Sequence, residues 1–173
     1  MTERLAYKFM RSPVGRLKLV ASDRGLVAIL WDKKSRMALP ASERRERHPV
    51  LVKAERQLKD YFGGRRKRFS LKLDIRGTPF QKKVWRALLQ IPFGETRTYN
   101  EIAKTIGHPK ASRAVGAANG KNPISIIMPC HRLIGSTGKL HGFGGGLKAK
   151  ADLLKLERPA VTPSNPHGEE HEP

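Results

Sequence analysis

The chain has 173 residues and a net charge of +20, from 35 Lys and Arg against 15 Asp and Glu, with a pI near 10.8. That excess favours a polyanionic partner, nucleic acid first, because neutralising phosphates releases counterions. One cysteine excludes a disulfide framework and a multi-cysteine metal site, and no stretch approaches the roughly 18 apolar residues of a spanning helix.

The first part reads as strands. Leu5 to Met10, Arg16 to Ala21 and Gly25 to Trp31 are β-rich runs separated by the turn signals Pro13-Val14-Gly15 and Asp23-Arg24-Gly25. Lys33 to His48 is polar and aperiodic, so a loop is expected. Val50 to Phe62 places Leu51, Ala54, Leu58, Tyr61 and Phe62 on one helical face, ended by Gly63-Gly64. Phe69, Leu71 and Leu73 alternate and predict one more strand. The expectation for residues 1–74 is an α/β domain, a small antiparallel sheet plus a helix.

From Gly77 onwards helices dominate. Thr78-Pro79 is an N-cap with proline at the first helical position, and Phe80, Val84, Trp85, Leu88 and Leu89 follow on one face. Pro92-Phe93-Gly94 breaks that helix, and Thr98-Tyr99-Asn100-Glu101 is a capping box that opens the next. Gly107-His108-Pro109 turns the chain into a helix from Lys110 to Ala118. Two short helices about a glycine-containing turn, the second one basic, form a helix-turn-helix pattern. At about 100° per residue Ala111, Ala114, Val115 and Ala118 face inwards, leaving Ser112, Arg113, Gly116 and Ala117 outside. Small side chains around one arginine suit a narrow groove or insertion of a guanidinium into a base stack.

Gly120-Lys121-Asn122-Pro123 predicts a tight turn into Ile124 to Met128, read as buried and extended, after which Pro129 presents Cys130. A lone thiol is either inert and buried or a nucleophile, and His131 and Arg132 follow directly to lower its pKa. The glycine cluster Gly138 to Leu147, with Phe143, Gly144 and Gly145, lacks phosphate-loop residues and is expected to cover something. A last helix runs from Leu147 to Leu156 and ends at Glu157. Residues 75–157 are expected to be a mainly α domain, and Arg158 to Pro173 a disordered tail. The opening Met1-Thr2-Glu3-Arg4 has no signal-peptide core behind it, so a reducing cytoplasm without membrane association is expected.

Together these motifs resemble the methylated-DNA–protein-cysteine methyltransferases, the O6-alkylguanine-DNA alkyltransferases. The matching segments are Gly77 to Trp85, Ile91 to Tyr99, Arg113-Ala114-Val115-Gly116, Asn122-Pro123 and Met128 to Arg132, in the family's order and spacing. The resemblance implies minor-groove binding through the helix-turn-helix, with Ser112, Arg113, Ala114, Gly116 and Tyr99 against DNA. It implies that guanine is flipped out, with Arg113 filling the vacated stack and Tyr99 crowding the target phosphate. Cys130 is then the alkyl acceptor, His131 takes its proton through a water, and Glu157 orients the imidazole. Asn122 braces the hinge. Met128, Pro129, Leu133, Phe143, Gly144 and Gly145 form the pocket, where the carbonyls of Cys130 and Leu133 accept the exocyclic amine.

The partner so implied is double-stranded DNA carrying alkylated guanine, met by a monomer, with clustering on DNA left open. No cofactor and no metal are expected, because the zinc site of some relatives needs cysteines this chain lacks. Phe143 and Gly144 stand where relatives carry Tyr and Ser, so two hydroxyls are missing from the lid. Two other readings compete: a helix-turn-helix regulator with an incidental thiol, and a cysteine hydrolase using Cys130 and His131.

Overall fold

The computed structural model describes residues 3–31, 39–140 and 143–158. Three apolar runs form the antiparallel strands β1 (Leu5–Met10), β2 (Leu17–Ser22) and β3 (Gly25–Trp31), with Leu19 opposite Ile29 and Val20 opposite Ala28. Alternation sends Leu17, Leu19, Ile29 and Trp31 into the main core, and Val20 and Ala28 into a small cluster on the other face.

A fourth strand, β4 (Ser42–Arg44), pairs parallel to β1, so the sheet is mixed and ordered β3-β2-β1-β4. It lies inside the stretch expected to be a loop. Its three residues are all exposed, so backbone pairing to the open edge of β1 makes it a strand, not an apolar period. Residues 33–38 of that stretch lie outside the described residues, as do His141, Gly142 and the tail from Pro159 to Pro173.

Helix α1 (Pro49–Phe62) opens with the His48 side chain accepting from the Val50 amide and buries Leu51, Ala54, Leu58 and Tyr61. The expected strand at Phe69 to Leu73 is absent. Leu73 makes one parallel bridge to Leu26, and the three apolar side chains pack half-buried on the core. Alternation there reports one-sided packing, not a ladder. Gly25 permits the close approach, since a Cβ would lie 2.6 Å from the Lys72 carbonyl oxygen.

Helix α2 (Pro79–Leu89) carries a full capping box between Thr78 and Gln81, and its Trp85 indole donates to the Ala118 carbonyl at 2.8 Å. Strand β5 (Arg97–Thr98) leads into α3 (Tyr99–Thr105), where the Thr98 hydroxyl accepts from the Glu101 amide. Helix α4 (Ser112–Gly120) begins two residues later than expected and buries Val115, Ala118 and Asn119. Ala114 is exposed, contrary to the expected stripe. The buried face is rotated because Asn119 turns inwards, its amide 3.4 Å from the Cys130 carbonyl oxygen.

Ile124 to Met128 is buried, as expected, but it is not extended. Amide hydrogen bonds Ile127 to Ser125 (2.9 Å) and Met128 to Ile124 (3.0 Å) fold it into a tight turn. Ile126 there has φ of 76°, a conformation that β-branched residues rarely adopt and that costs about 1–3 kcal/mol. The surroundings impose it. Strand β6 (Leu133–Ile134) pairs parallel with β5, and α5 (Leu147–Glu157) closes the fold.

One hydrophobic cluster runs through both halves, from Leu19 and Ile29 to Trp85, Ile124, Leu133 and Leu153. The Ile29 amide donates to the Pro123 carbonyl at 2.9 Å, stitching β3 to the turn that precedes Cys130. Among the described residues no helix is long and apolar enough to cross a membrane.

Candidate active site and nucleic-acid interface

Cys130 opens a 3₁₀ turn, Cys130–Arg132, and is 3% exposed. The side chain of Asn122 clamps the chain leading to it. The Asn122 oxygen accepts from the Ile124 amide at 2.9 Å and its amide donates to the Met128 carbonyl at 2.7 Å, so both ends of the strained turn are fixed. Burial pushes the thiol above its ordinary pKa, while hydrogen bonds from Asn122 and Ser125 and the charge of Lys150 pull it back. A cationic influence on the sulfur comes from Lys150, a residue distant in sequence. A thiol kept neutral at rest needs a base before it can act as a nucleophile.

His131 supplies a candidate. It is fully buried, and its Nε2 lies 2.7 Å from Oε2 of Glu157. Arg132 grips the same carboxylate with Nε at 2.7 Å from Oε1 and Nη2 at 3.0 Å from Oε2, and Nη1 donates to the Ile91 carbonyl at 2.7 Å. The Tyr61 hydroxyl of α1 also donates to Oε2. Hydrogen bonds from His131, Arg132 and Tyr61 outweigh burial and hold the Glu157 pKa at about 2, against an ordinary 4.5. An ionised carboxylate can only accept, so the proton of His131 sits on Nε2 and Nδ1 carries a lone pair. Nδ1 is buried and has no hydrogen-bond partner among the described residues. Burial also lowers the His131 pKa, keeping the ring neutral and able to take a proton.

An open cleft of about 700 Å³ borders the helix-turn-helix, lined by Tyr99, Ser112, Arg113 and Gly116 on one side and Phe143 and Gly144 on the other. Thr98 in its wall belongs to β5, whose partner β6 starts three residues after Cys130. Tyr99 is half-buried, and burial above all raises its phenol pKa, with a smaller push from the Cys130 sulfur when that is ionised, which makes ring and sulfur electrostatic neighbours. The Tyr99 ring packs along α4 at Gly116, where a Cβ would sit 3.6 Å from it in ordinary contact. Phe143 packs edge-on against Trp31, with centroids 5.2 Å apart, and Gly145 fits where a Cβ would strike that indole at 2.4 Å.

The expected pocket residues do not all meet. Met128 and Leu133 are buried in the core, Gly145 supports the lid from behind, and Pro129 lines a separate cavity of about 680 Å³ with Phe93 and Arg132. Ala114 projects from α4 without lining the cleft. The Leu133 carbonyl, expected to meet a base, accepts from the buried Lys150 ammonium at 2.6 Å, leaving its second lone pair. Sequence reasoning missed Tyr61, Lys150 and Asn119. Lys150 had a signal, because it shares the apolar stripe of α5 with Ala149, Leu153 and Glu157, where an ordinary lysine would not be placed.

A basic helix-turn-helix beside a buried cysteine, with a histidine–carboxylate pair behind it, defines a DNA-binding protein equipped for thiol chemistry. Comparison with known proteins narrows the class. The family profile described as "6-O-methylguanine DNA methyltransferase, DNA binding domain" matches residues 79–159, and the one described as its "ribonuclease-like domain" matches residues 5–75. A methylated-DNA–protein-cysteine methyltransferase of Methanosarcina acetivorans is 52% identical over 152 residues, 87% of this chain and 97% of that relative. One from Mycolicibacterium paratuberculosis is 47% identical over 155 residues, 89% and 93% of the two chains. The crystal structure of Mycobacterium tuberculosis OGT in complex with DNA superposes with a TM-score of 0.83 at 46% identity, covering 88% of this chain and 92% of that one. The chain belongs to the methylated-DNA–protein-cysteine methyltransferase family, whose members are DNA-repair methyltransferases acting on DNA.

The carboxylate gives a stability prediction. A Glu157 pKa of about 2 in the fold against 4.5 unfolded corresponds to about 3 kcal/mol. Because the folded value is the lower one, this stabilisation is complete above pH 4.5 and fades as pH falls towards 2. Glu157→Gln should therefore lower the urea-unfolding free energy by about 3 kcal/mol at pH 7 and by much less near pH 2.5. Equal losses at both pH values would contradict an ionised, donor-bound carboxylate.

Proposed function

We propose that the protein transfers the alkyl group of O6-alkylguanine in duplex DNA irreversibly to Cys130. The observation that carries this reading is a buried thiol followed directly in the chain by His131, whose buried Nδ1 is left with a lone pair by the Nε2 contact to Glu157. The duplex is held in its minor groove by the helix-turn-helix, and the damaged base rotates out into the cleft beside Tyr99. Arg113, the long side chain on the outer face of α4, takes the place of the missing base in the stack. Ser112, Ala114 and Gly116 lie against the backbone.

In the chemical step the thiol proton passes through a water to His131. The thiolate attacks the alkyl carbon, the carbon–oxygen bond breaks, and guanine leaves with the bonding electrons and takes up a proton. Asn122 holds the loop that fixes the sulfur, and Lys150 favours its anionic form. The product is a thioether. The chain has no second cysteine to regenerate the first, so each molecule acts once. It works as a monomer in the cytoplasm without cofactor or metal, with Phe143 and Gly144 closing over the base.

Incubation with duplex DNA containing O6-methylguanine tests this. Intact-mass and peptide analysis should place one methyl group on the peptide containing Cys130, with no turnover beyond one equivalent. Cys130→Ser should abolish transfer and leave DNA affinity within about twofold. Transfer to another residue, or many turnovers, would refute the reading.

Arg113→Ala should slow transfer from duplex DNA by at least about tenfold yet leave transfer from the free modified base nearly unchanged, since only the duplex needs its stack refilled. Equal losses on both substrates would remove Arg113 from that role.

A further inference from the structure

We infer that Tyr61, carried by α1 in the sheet-bearing half, is a positioning residue for the proton-accepting histidine, acting through the carboxylate oxygen it shares with His131. This rests on the role proposed above for His131 and deepens it. Oε2 of Glu157 receives three donors: the Tyr61 hydroxyl, Nε2 of His131 at 2.7 Å and Nη2 of Arg132 at 3.0 Å. Tyr61 and His131 compete for the electron density of one atom. A donor on that oxygen partly neutralises it and weakens its hold on the imidazole proton.

The aim of the phenol is built into the fold. Tyr61 is 1% exposed and is boxed by the rings of Phe62, Phe69 and Phe93, with centroids 5.3, 5.4 and 6.2 Å away. Burial and the Glu157 charge push its pKa far above the ordinary tyrosine value, so it remains a donor across the working range. The charged and titratable groups facing His131 are Glu157 and Lys150 of α5, Arg132 and Cys130 of its own turn, and Tyr61 through Glu157. Glu157 favours the imidazolium, whereas Arg132, Lys150 and burial oppose it. Loss of the hydroxyl exposes more of the carboxylate charge to the ring and favours the protonated form, which cannot accept the thiol proton. A residue of the first half thus sets the proton affinity of a base in the second.

Tyr61→Phe keeps the ring and deletes only the donor. In the unreacted full-length variant, NMR titration should find the His131 protonation midpoint raised by about half a pH unit or more. The acid limb of the transfer rate should move up by the same amount, so that at a fixed pH on that limb, below the wild-type midpoint, the rate is about threefold lower, with DNA affinity unchanged. Ala54→Gly, at a buried position of the same helix whose side chain has no donor for Glu157, should destabilise the fold without moving midpoint or limb. Site-specific 3,5-difluorotyrosine at position 61, a stronger donor of nearly the same shape, should move the midpoint down, and it serves should Tyr61→Phe fail to fold. An unmoved His131 midpoint in folded Tyr61→Phe or in the fluorinated protein, or an equal shift in Ala54→Gly, would overturn the inference. A wild-type protein that transfers no alkyl group would defeat the proposed reaction, but the His131 midpoint would still decide this one.

Discussion

A buried carboxylate surrounded by hydrogen-bond donors is the interaction on which this architecture turns. Glu157 sits at the end of α5, yet its oxygens gather Tyr61 from α1 and His131 and Arg132 from the turn that begins at Cys130. An isolated ionised carboxylate in such a place would be strongly destabilising. With its lone pairs met by an imidazole, a guanidinium and a phenol it is held anionic instead. The consequence reaches His131 directly: an acceptor on Nε2 dictates which nitrogen bears the proton and leaves the other one open.

The second constraint is mechanical. A β-branched residue, Ile126, is held at positive φ four residues before Cys130, and Asn122 ties both flanks of that strained segment. The Ile29 amide braces the same segment from the sheet through the Pro123 carbonyl. The sulfur is therefore placed by a rigid support, while the nearby cleft is walled by slim side chains on α4 and by Phe143 leaning on Trp31. Such a division suits the reaction proposed above, in which the nucleophile stays fixed and the substrate base travels.

Much of this was legible in the residues. Caps and breakers such as Thr78-Pro79, Thr98 and Gly63-Gly64 mark helix ends because their chemistry is local. The three long strands declared themselves through their apolar runs and the turns between them. What escaped depends on partners distant in sequence. β4 is polar and exists only because β1 offers an open edge. The apolar run 124–128 reads alike as a strand or as a buried turn, and only the Asn122 clamp decides between them. Adjacency in sequence puts Arg132 beside the thiol, but its guanidinium turns to Glu157 and Ile91. Tyr61 looked like one more apolar position on α1, because nothing in its own segment announces a carboxylate 96 residues away.

The most direct test of the account is the tautomer of His131 in the unreacted protein, read from ¹⁵N chemical shifts and couplings near neutral pH. The expected result is a proton-bearing Nε2 and a bare, pyridine-like Nδ1. A proton on Nδ1, or an imidazolium with both nitrogens protonated, would contradict it.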